Sequence, residues 1–140
     1  MNRKIKVRVW SKPLKRFLTK DEWFLDFDGD LHFIEYDEDS NQYWPDRVPE
    51  ENYIVQQYTG LKDSKGKEIY EGDVVKIIYD KAIGEVYFDF NLGAFRLKDK
   101  SSKSYPIITY SFDEANKLIG LVNVADEVIG NIFENSELLK

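Results

Sequence analysis

The sequence predicts a mainly β protein (a β-rich α+β fold), built as a small bent sheet or SH3-like barrel with an N-terminal β-meander and one short helix. Three observations favour this class. Short runs of β-branched and aromatic residues alternate with polar ones, Gly- and Asp-rich turns separate these runs, and a single segment has helical periodicity. With 140 residues, 42% of them hydrophobic, the chain can form one domain, or one domain with a small subdomain.

The first part of the chain predicts the meander. Residues 5–10 alternate, with apolar side chains on one face and Lys, Arg and Trp on the other, which is typical of a half-buried strand. A turn at Lys12-Pro13 follows. Further on, two aromatic-rich runs flank Asp28-Gly29, a pair that favours a two-residue hairpin turn with positive φ.

A polar segment with two prolines, residues 37–52, interrupts this pattern. Such composition is typical of a loop or an irregular link between structural units. We therefore expect an N-terminal β-meander subdomain over residues 1–52 and a barrel-like β domain over residues 53–140.

The second part predicts further strands near residues 53–60, 73–80, 83–90, 93–99 and 126–134. One helix is predicted at residues 111–122. Ser111 can cap it, Glu114 stands at the capping-box position, and Ala115 and Leu118 fall on one face.

Glycines and acids crowd between Tyr58 and Val74. We interpret this crowding as a turn motif, because glycine supplies positive φ and Asp bonds nearby backbone amides. The predicted structural residues are Tyr58, Gly60, Asp63, Gly66, Tyr70, Gly72 and Asp73.

A catalytic or Mg²⁺-binding role for Asp63, Glu71 and Asp73 is the alternative, since carboxylates do both. No histidine or nucleophile stands at a recognisable spacing from them. We therefore expect no catalytic residue, no metal and no cofactor.

The segment YTGLKDSKGKEIYEGDVVKI closely resembles the signature of the YopX family, and the beginning KIKVRVWSKPLKRF and the ending EVIGNIFENSELL fit the same family. The resemblance implies a β-rich fold carried by phages and prophages of low-GC bacteria. It also implies expression in the cytoplasm of the bacterial host and self-association. It implies no activity and no functional residues.

Composition excludes several classes of site. The chain has no cysteine, which excludes disulfides, zinc-thiolate sites and cysteine nucleophiles. No apolar run approaches the roughly 18–20 residues that span a bilayer, and the N-terminus lacks the continuous apolar centre of a signal peptide. We expect a soluble cytoplasmic protein without membrane contact.

Charge is unevenly distributed within a net charge of −6. Residues 1–20 hold eight Lys or Arg and no acid, whereas residues 21–51 hold twelve acids and one Arg. Mutual neutralisation of the two segments is the simpler interpretation. Nucleic-acid binding by the basic segment is the alternative, although the net charge disfavours it. Its predicted phosphate contacts are Arg3, Lys4, Lys6, Arg8, Lys12, Lys15 and Arg16.

These observations predict a non-enzymatic protein-association module that forms homo-oligomers or binds an unknown phage or host protein. A short, strand-rich chain leaves sheet edges that must be paired or blunted. Its aromatic content, 15%, also exceeds what a small core requires. A nucleic-acid-binding protein and, less favoured, an enzyme that uses the acidic loops are the alternatives.

Overall fold

The structure, a computed structural model, describes residues 4–47 and 49–140, without the side chains of residues 35–37, 42–47, 50, 110–112 and 119. About half of the described residues lie in strands and few in helices, so the predicted mainly β class is confirmed. The chain forms two compact units.

We call Arg8–Gln56 the N-terminal unit, and Gln57–Lys140 with the described residues before Arg8 the C-terminal unit. The predicted subdomains, residues 1–52 and 53–140, differ from these units at the boundary and in the first residues. Their standing as separate domains stays a prediction.

The N-terminal unit contains the predicted meander. Its strands are β1 (Val7–Ser11, with Val7 in the C-terminal unit), β2 (Arg16–Phe17), β3 (Trp23–Leu25), β4 (Leu31–Asp37) and β5 (Gln42–Arg47). Strands β3, β4 and β5 pair in antiparallel order. Trp10, expected on the polar face of its strand, is buried because Phe17 lies opposite and meets it edge to face at 5.1 Å.

The C-terminal unit is built on an antiparallel sheet that curls into a half-barrel, the predicted bent sheet. The remaining strands are β6 (Tyr53–Lys62, which begins in the N-terminal unit), β7 (Glu68–Tyr70), β8 (Asp73–Ile77), β9 (Ile83–Asp89), β10 (Ala94–Asp99), β11 (Ser104–Pro106), β12 (Ile108–Phe112), β13 (Leu118–Asn123) and β14 (Ala125–Asn131). The order in the half-barrel sheet is β11-β10-β9-β8-β14. Its core consists of Ile69, Val75, Ile77, Val86, Leu97, Ile107, Val124, Ala125 and Val128.

The predicted helix at residues 111–122 is wrong. Strands β12 and β13 form an antiparallel hairpin there, with Thr109 opposite Val122. Asn116 adopts φ 62°, which lies outside the α-helical region and ends any helix. Glu114 lies in the turn of this hairpin, and the side chain of the predicted cap, Ser111, lies outside the described residues.

One turn geometry recurs in four hairpin loops. An Asp at position i accepts two hydrogen bonds on Oδ1, from the amides of residues i+2 and i+4, at 2.8–3.0 Å. Its own amide donates to the carbonyl of residue i+4, and residue i+3 has positive φ. The four loops are Asp26–Asp30, Asp63–Lys67, Asp99–Lys103 and Asp113–Lys117.

This geometry explains two errors of sequence interpretation. The first hairpin turns through the three residues between Asp26 and Asp30, and Asp28-Gly29 is not a two-residue turn. The second error is the helix, because Asp113 captures the same amides that a helix would need for its first turn. The pattern Asp-x-x-x-Lys, with Gly, Ser or Asn before the Lys, occurs at three of the loops and was the signal available in the sequence.

Gly130, in β14, packs against Asn135 and Leu138, which follow it in the chain. A Cβ added there would meet Asn135 Oδ1 at 2.7 Å and Leu138 Cδ1 at 2.8 Å. Asn135 is held in place, because its amide donates to the Asn131 carbonyl at 2.8 Å. The glycine is therefore required for close approach of the final turn.

We expect Gly130→Ala to lower the free energy of unfolding by about 1–3 kcal/mol, because overpacking must displace Asn135 or Leu138. Urea unfolding followed by far-UV circular dichroism measures the change. Gly120→Ala in β13 is the matched control, since nothing lies within 4 Å of its added Cβ. Its effect should stay within about 0.5 kcal/mol. Equal effects of the two substitutions would contradict the packing argument.

Candidate association surface

The turn at Asp63–Lys67 differs from the other three because its Asp is also bonded to a distant strand. Asp63 is buried, and its second oxygen, Oδ2, accepts a hydrogen bond from the Val128 amide at 3.0 Å. The Ser64 amide donates to the Asp126 carbonyl at 2.8 Å. Since β14 pairs with β8 on its other side, the turn covers the outer edge of the half-barrel sheet.

These bonds change the acidity of Asp63. Burial by itself would raise the pKa of its carboxyl. Hydrogen bonds from the amides of Val128, Lys67 and Lys65 outweigh burial, so the pKa lies below its ordinary value. The folded protein therefore favours the ionised carboxylate, which is the form that accepts three amides at once.

The second half of the predicted turn motif is also bonded to the backbone. Asp73 is buried, and its Oδ2 accepts the Tyr70 amide at 2.8 Å. Gly72, with φ 77°, donates its amide to the Val86 carbonyl and accepts from the Ile132 amide. The rings of Tyr58 and Tyr70 lie 5.4 Å apart.

Asp63 thus lies in a turn and Asp73 lies at the start of β8, and each binds backbone amides. Glu71, between them in sequence, donates its own amide to the Gln57 carbonyl at 2.9 Å. Within the described part of the chain, no group of three or more His, Cys, Asp or Glu side chains is arranged to hold a metal ion. The enzyme alternative therefore gains no support from these three acids.

The only histidine, His32, lies in the N-terminal unit. Its Nε2 is 2.8 Å from Asp26 Oδ2, and its ring stacks on Phe24 at 5.0 Å. The hydrogen bond from His32, followed by amide bonds that include Asp30, holds the pKa of Asp26 below its ordinary value. These contacts fix the hairpin of β3 and β4.

Four of the seven predicted phosphate contacts have partners within the protein. Arg16 binds both oxygens of Glu22, at 3.0 and 2.6 Å, and this bond, followed by one from the Thr19 amide, lowers the pKa of Glu22 to about 2. Arg8 Nε donates to Gln56 Oε1 at 2.8 Å.

Two lysines of the same segment are also engaged. Lys12 Nζ donates to the Glu51 carbonyl, and Lys6 pairs with Glu68. Lys4 and Lys15 are exposed, and Arg3 lies outside the described residues. The basic and acidic segments were predicted to neutralise each other. The ion pair between Arg16 and Glu22 is a contact of this kind, because it joins the two segments.

The edge of the half-barrel sheet opposite β14 is formed by β11, which has three residues and ends in Pro106. A short edge strand with a proline offers few amides for further pairing. Both edges of the main sheet are therefore blunted, one by β11 and one by the Asp63 turn.

The hairpin of β12 and β13 is different. In the described residues each of these strands pairs only with the other, and contacts with other strands are few. Leu118 is 53% exposed and Leu121 is 65% exposed. A lone two-stranded hairpin is marginally stable in water, so this one needs further contacts. Its base is fixed to the core, because Ile107 and Val124 are core residues and the Ile78 amide donates to the Val124 carbonyl.

A groove of about 340 Å³ adjoins the base of the hairpin. Its lining is mostly apolar and includes Leu61, Phe95, Ile107 and Ile108. Groove and hairpin together, with Ile108 common to both, make up what we call the candidate association surface of the C-terminal unit.

Substitution of Asp63 tests the hydrogen bond between its turn and strand β14. We expect Asp63→Ala to lower the free energy of unfolding by about 3 kcal/mol or more, because it orphans three amides, one of them in the buried strand β14. Asp113→Ala is the matched control, as the Asp113 turn has the same geometry at an exposed position. Its effect on urea unfolding should be clearly smaller. An equal loss would show that the bond to Val128 contributes nothing.

The contribution of the Asp63 carboxylate to the free energy of unfolding should depend on pH. Because the folded pKa of Asp63 is depressed, its contribution is complete above the unfolded pKa of about 3.9 and is lost as pH falls through the folded pKa. Unfolding free energies measured from pH 6 downward should therefore differ between the wild type and Asp63→Asn. The gap between them should narrow below about pH 4. A constant gap would contradict the assignment.

Among the described residues, none of the helices is long and apolar enough to cross a membrane.

Comparisons with known proteins identify a similar solved structure and a matching family. The chain is similar to the crystal structure of protein EF1440 from Enterococcus faecalis, at 26% identity and a TM-score of 0.56. That match covers 99% of this chain and 100% of the other. A search of curated proteins finds no match.

A family model described as YopX protein matches residues 6–140. The matched span contains the Asp63 turn, the half-barrel sheet and the hairpin of β12 and β13. The chain therefore belongs to the YopX family.

Proposed function

We propose that this YopX-family protein is a non-enzymatic, self-associating module of a phage or prophage that acts in the cytoplasm of its bacterial host. The observation that carries the proposal is the exposed apolar hairpin of β12 and β13. A protein that blunts both edges of its main sheet and leaves a second pair of strands uncovered has a surface that suits another protein.

The distribution of exposed apolar side chains supports association by this unit. Leu118 and Leu121 occupy strand positions on the hairpin, and the apolar groove at the base of the hairpin is lined by Ile108 of β12. Phe90, 88% exposed, lies in the turn between β9 and β10 and is separate in sequence. Strand positions can join an interface as regular backbone pairs, whereas a turn residue can add only a side chain.

A non-enzymatic role agrees with the bonding of the acids. Asp63 and Asp73 bind backbone amides, which hold their carboxylates in fixed orientations. A general base must be able to reach a proton of its substrate. The amides of Lys65, Lys67 and Val128 occupy the oxygens of Asp63 that would have to do so.

The basic segment gives the nucleic-acid alternative little additional support. Engagement of Lys6, Arg8, Lys12 and Arg16 leaves fewer cations to neutralise phosphates, and a net charge of −6 opposes the approach of nucleic acid. Electrophoretic mobility shifts with DNA and RNA at low salt separate the two functions, because phosphate binding would weaken steeply as salt is added.

Size-exclusion chromatography with light scattering, over a wide range of protein concentrations, tests self-association. We expect a mass that is a multiple of the chain's 16.5 kDa at high concentration and that falls on dilution. High salt should not dissociate the assembly, because apolar contacts are not screened as surface charges are. A mass of one chain throughout would overturn the proposal.

A further inference from the structure

We propose that the outer edge of β13 is the pairing edge, and that it pairs antiparallel with β13 of a second copy about a twofold axis. This inference rests on the proposed function and specifies its surface. It would join two hairpins into a four-stranded sheet, which removes the weakness of an isolated pair of strands.

The first argument is the direction of the backbone amides. The Val124 amide donates to the Ile107 carbonyl at 2.6 Å, and residues opposite each other in an antiparallel pair alternate between bonded and non-bonded. Thr109 and Val122 are next in the bonded set, so the amides of Leu121 and Asn123 face away from β12. The Leu121 amide is open to another strand, whereas the Lys62 backbone already lies beside Asn123, whose side chain donates to the Lys62 carbonyl at 2.7 Å. At about 3.4 Å per residue, the six residues of β13 present an edge of about 20 Å.

The second argument is charge. A twofold axis brings identical segments together, so a charged residue near it would face its own copy. Residues 118–125, LIGLVNVA, contain no charged side chain, and Lys117 and Asp126 flank them. Two chains that each carry a net charge of −6 can therefore meet along this edge without direct repulsion.

The third argument is composition. An uncharged, apolar segment of high β propensity at an open edge is the pattern that leads to uncontrolled strand pairing. Natural edges carry Lys, Pro or a covering turn against this, as β11 and β14 do here. Edge β13 has none of these within its six residues, which fits an edge with a regular partner.

Strand β13 is a better pairing edge than its neighbour β12. Leu118 and Leu121 are more exposed than Ile108 of β12, which is 38% exposed. The sequence of β12, ITYSF, also has three residues with hydroxyl groups, whereas β13 has one polar residue, Asn123.

Two substitutions at exposed positions, Leu118→Lys and Leu121→Lys, test the inference. Each puts a charge into this uncharged pairing edge and removes apolar area, so self-association should weaken about tenfold or more. Phe90→Lys is the control, because it removes an exposed apolar side chain from a turn outside the hairpin of β12 and β13. It should leave the association constant unchanged. Circular dichroism confirms that each variant keeps its fold.

A cysteine reporter gives a second, independent measurement. The chain has no cysteine, so a single Leu121→Cys variant can form a disulfide only between copies. Mild oxidation should give a covalent dimer, because a twofold axis near the middle of β13 brings the two thiols together. Ser101→Cys, in the exposed turn after β10, should remain a monomer under the same conditions.

The outcomes separate this inference from the proposed function. If the wild type is a monomer at every concentration, both are overturned. If the wild type associates, but the Lys variants at positions 118 and 121 associate as well as Phe90→Lys and Leu121→Cys gives no covalent dimer, the β13 edge is excluded and self-association stands. Capture of a different protein by this edge in place of a second copy would also overturn the inference.

Discussion

The fold of the C-terminal unit depends on a buried aspartate carboxylate that binds backbone amides in two places at once. One oxygen of Asp63 shapes its own turn through the amides of Lys65 and Lys67, and the other holds the Val128 amide in the last strand of the sheet. A carboxylate has enough lone pairs for all three bonds, and its charge strengthens each of them. The other three Asp turns have the first function without the second.

The difference between bonds within a turn and bonds to a distant strand explains which features could be predicted from the sequence. Alternating strands and the position of glycines with positive φ are local properties, and Gly60, Gly66 and Gly72 all have the expected φ. The error at residues 111–122 arose because Ser111, Glu114 and Leu118 satisfy the rules for a helix start, while Asp113 and Asn116 satisfy those for a turn. Local rules could not decide between them, and pairing with β12 did.

The candidate surface was harder to predict, since it depends on which edges the topology leaves open. Nothing in the local sequence of residues 118–123 distinguishes a strand that joins the main sheet from one that lies outside it. The bond between Asp63 and Val128 joins residues 65 positions apart, and no spacing rule connects them. Charge segregation was equally ambiguous, because Lys6 pairs with Glu68 and not with the acidic segment.

The distance in sequence between Asp63 and Val128 also bears on the order of events during synthesis. Strands β8, β9 and β10 can pair with one another as soon as they have been made, since their connections are short. The outer side of β8 and the second oxygen of Asp63 then lack their partners until β14 has been made. During that interval the nascent sheet presents Val74, Val75 and Ile77 along an unpaired edge, and an unpaired apolar edge favours misassembly.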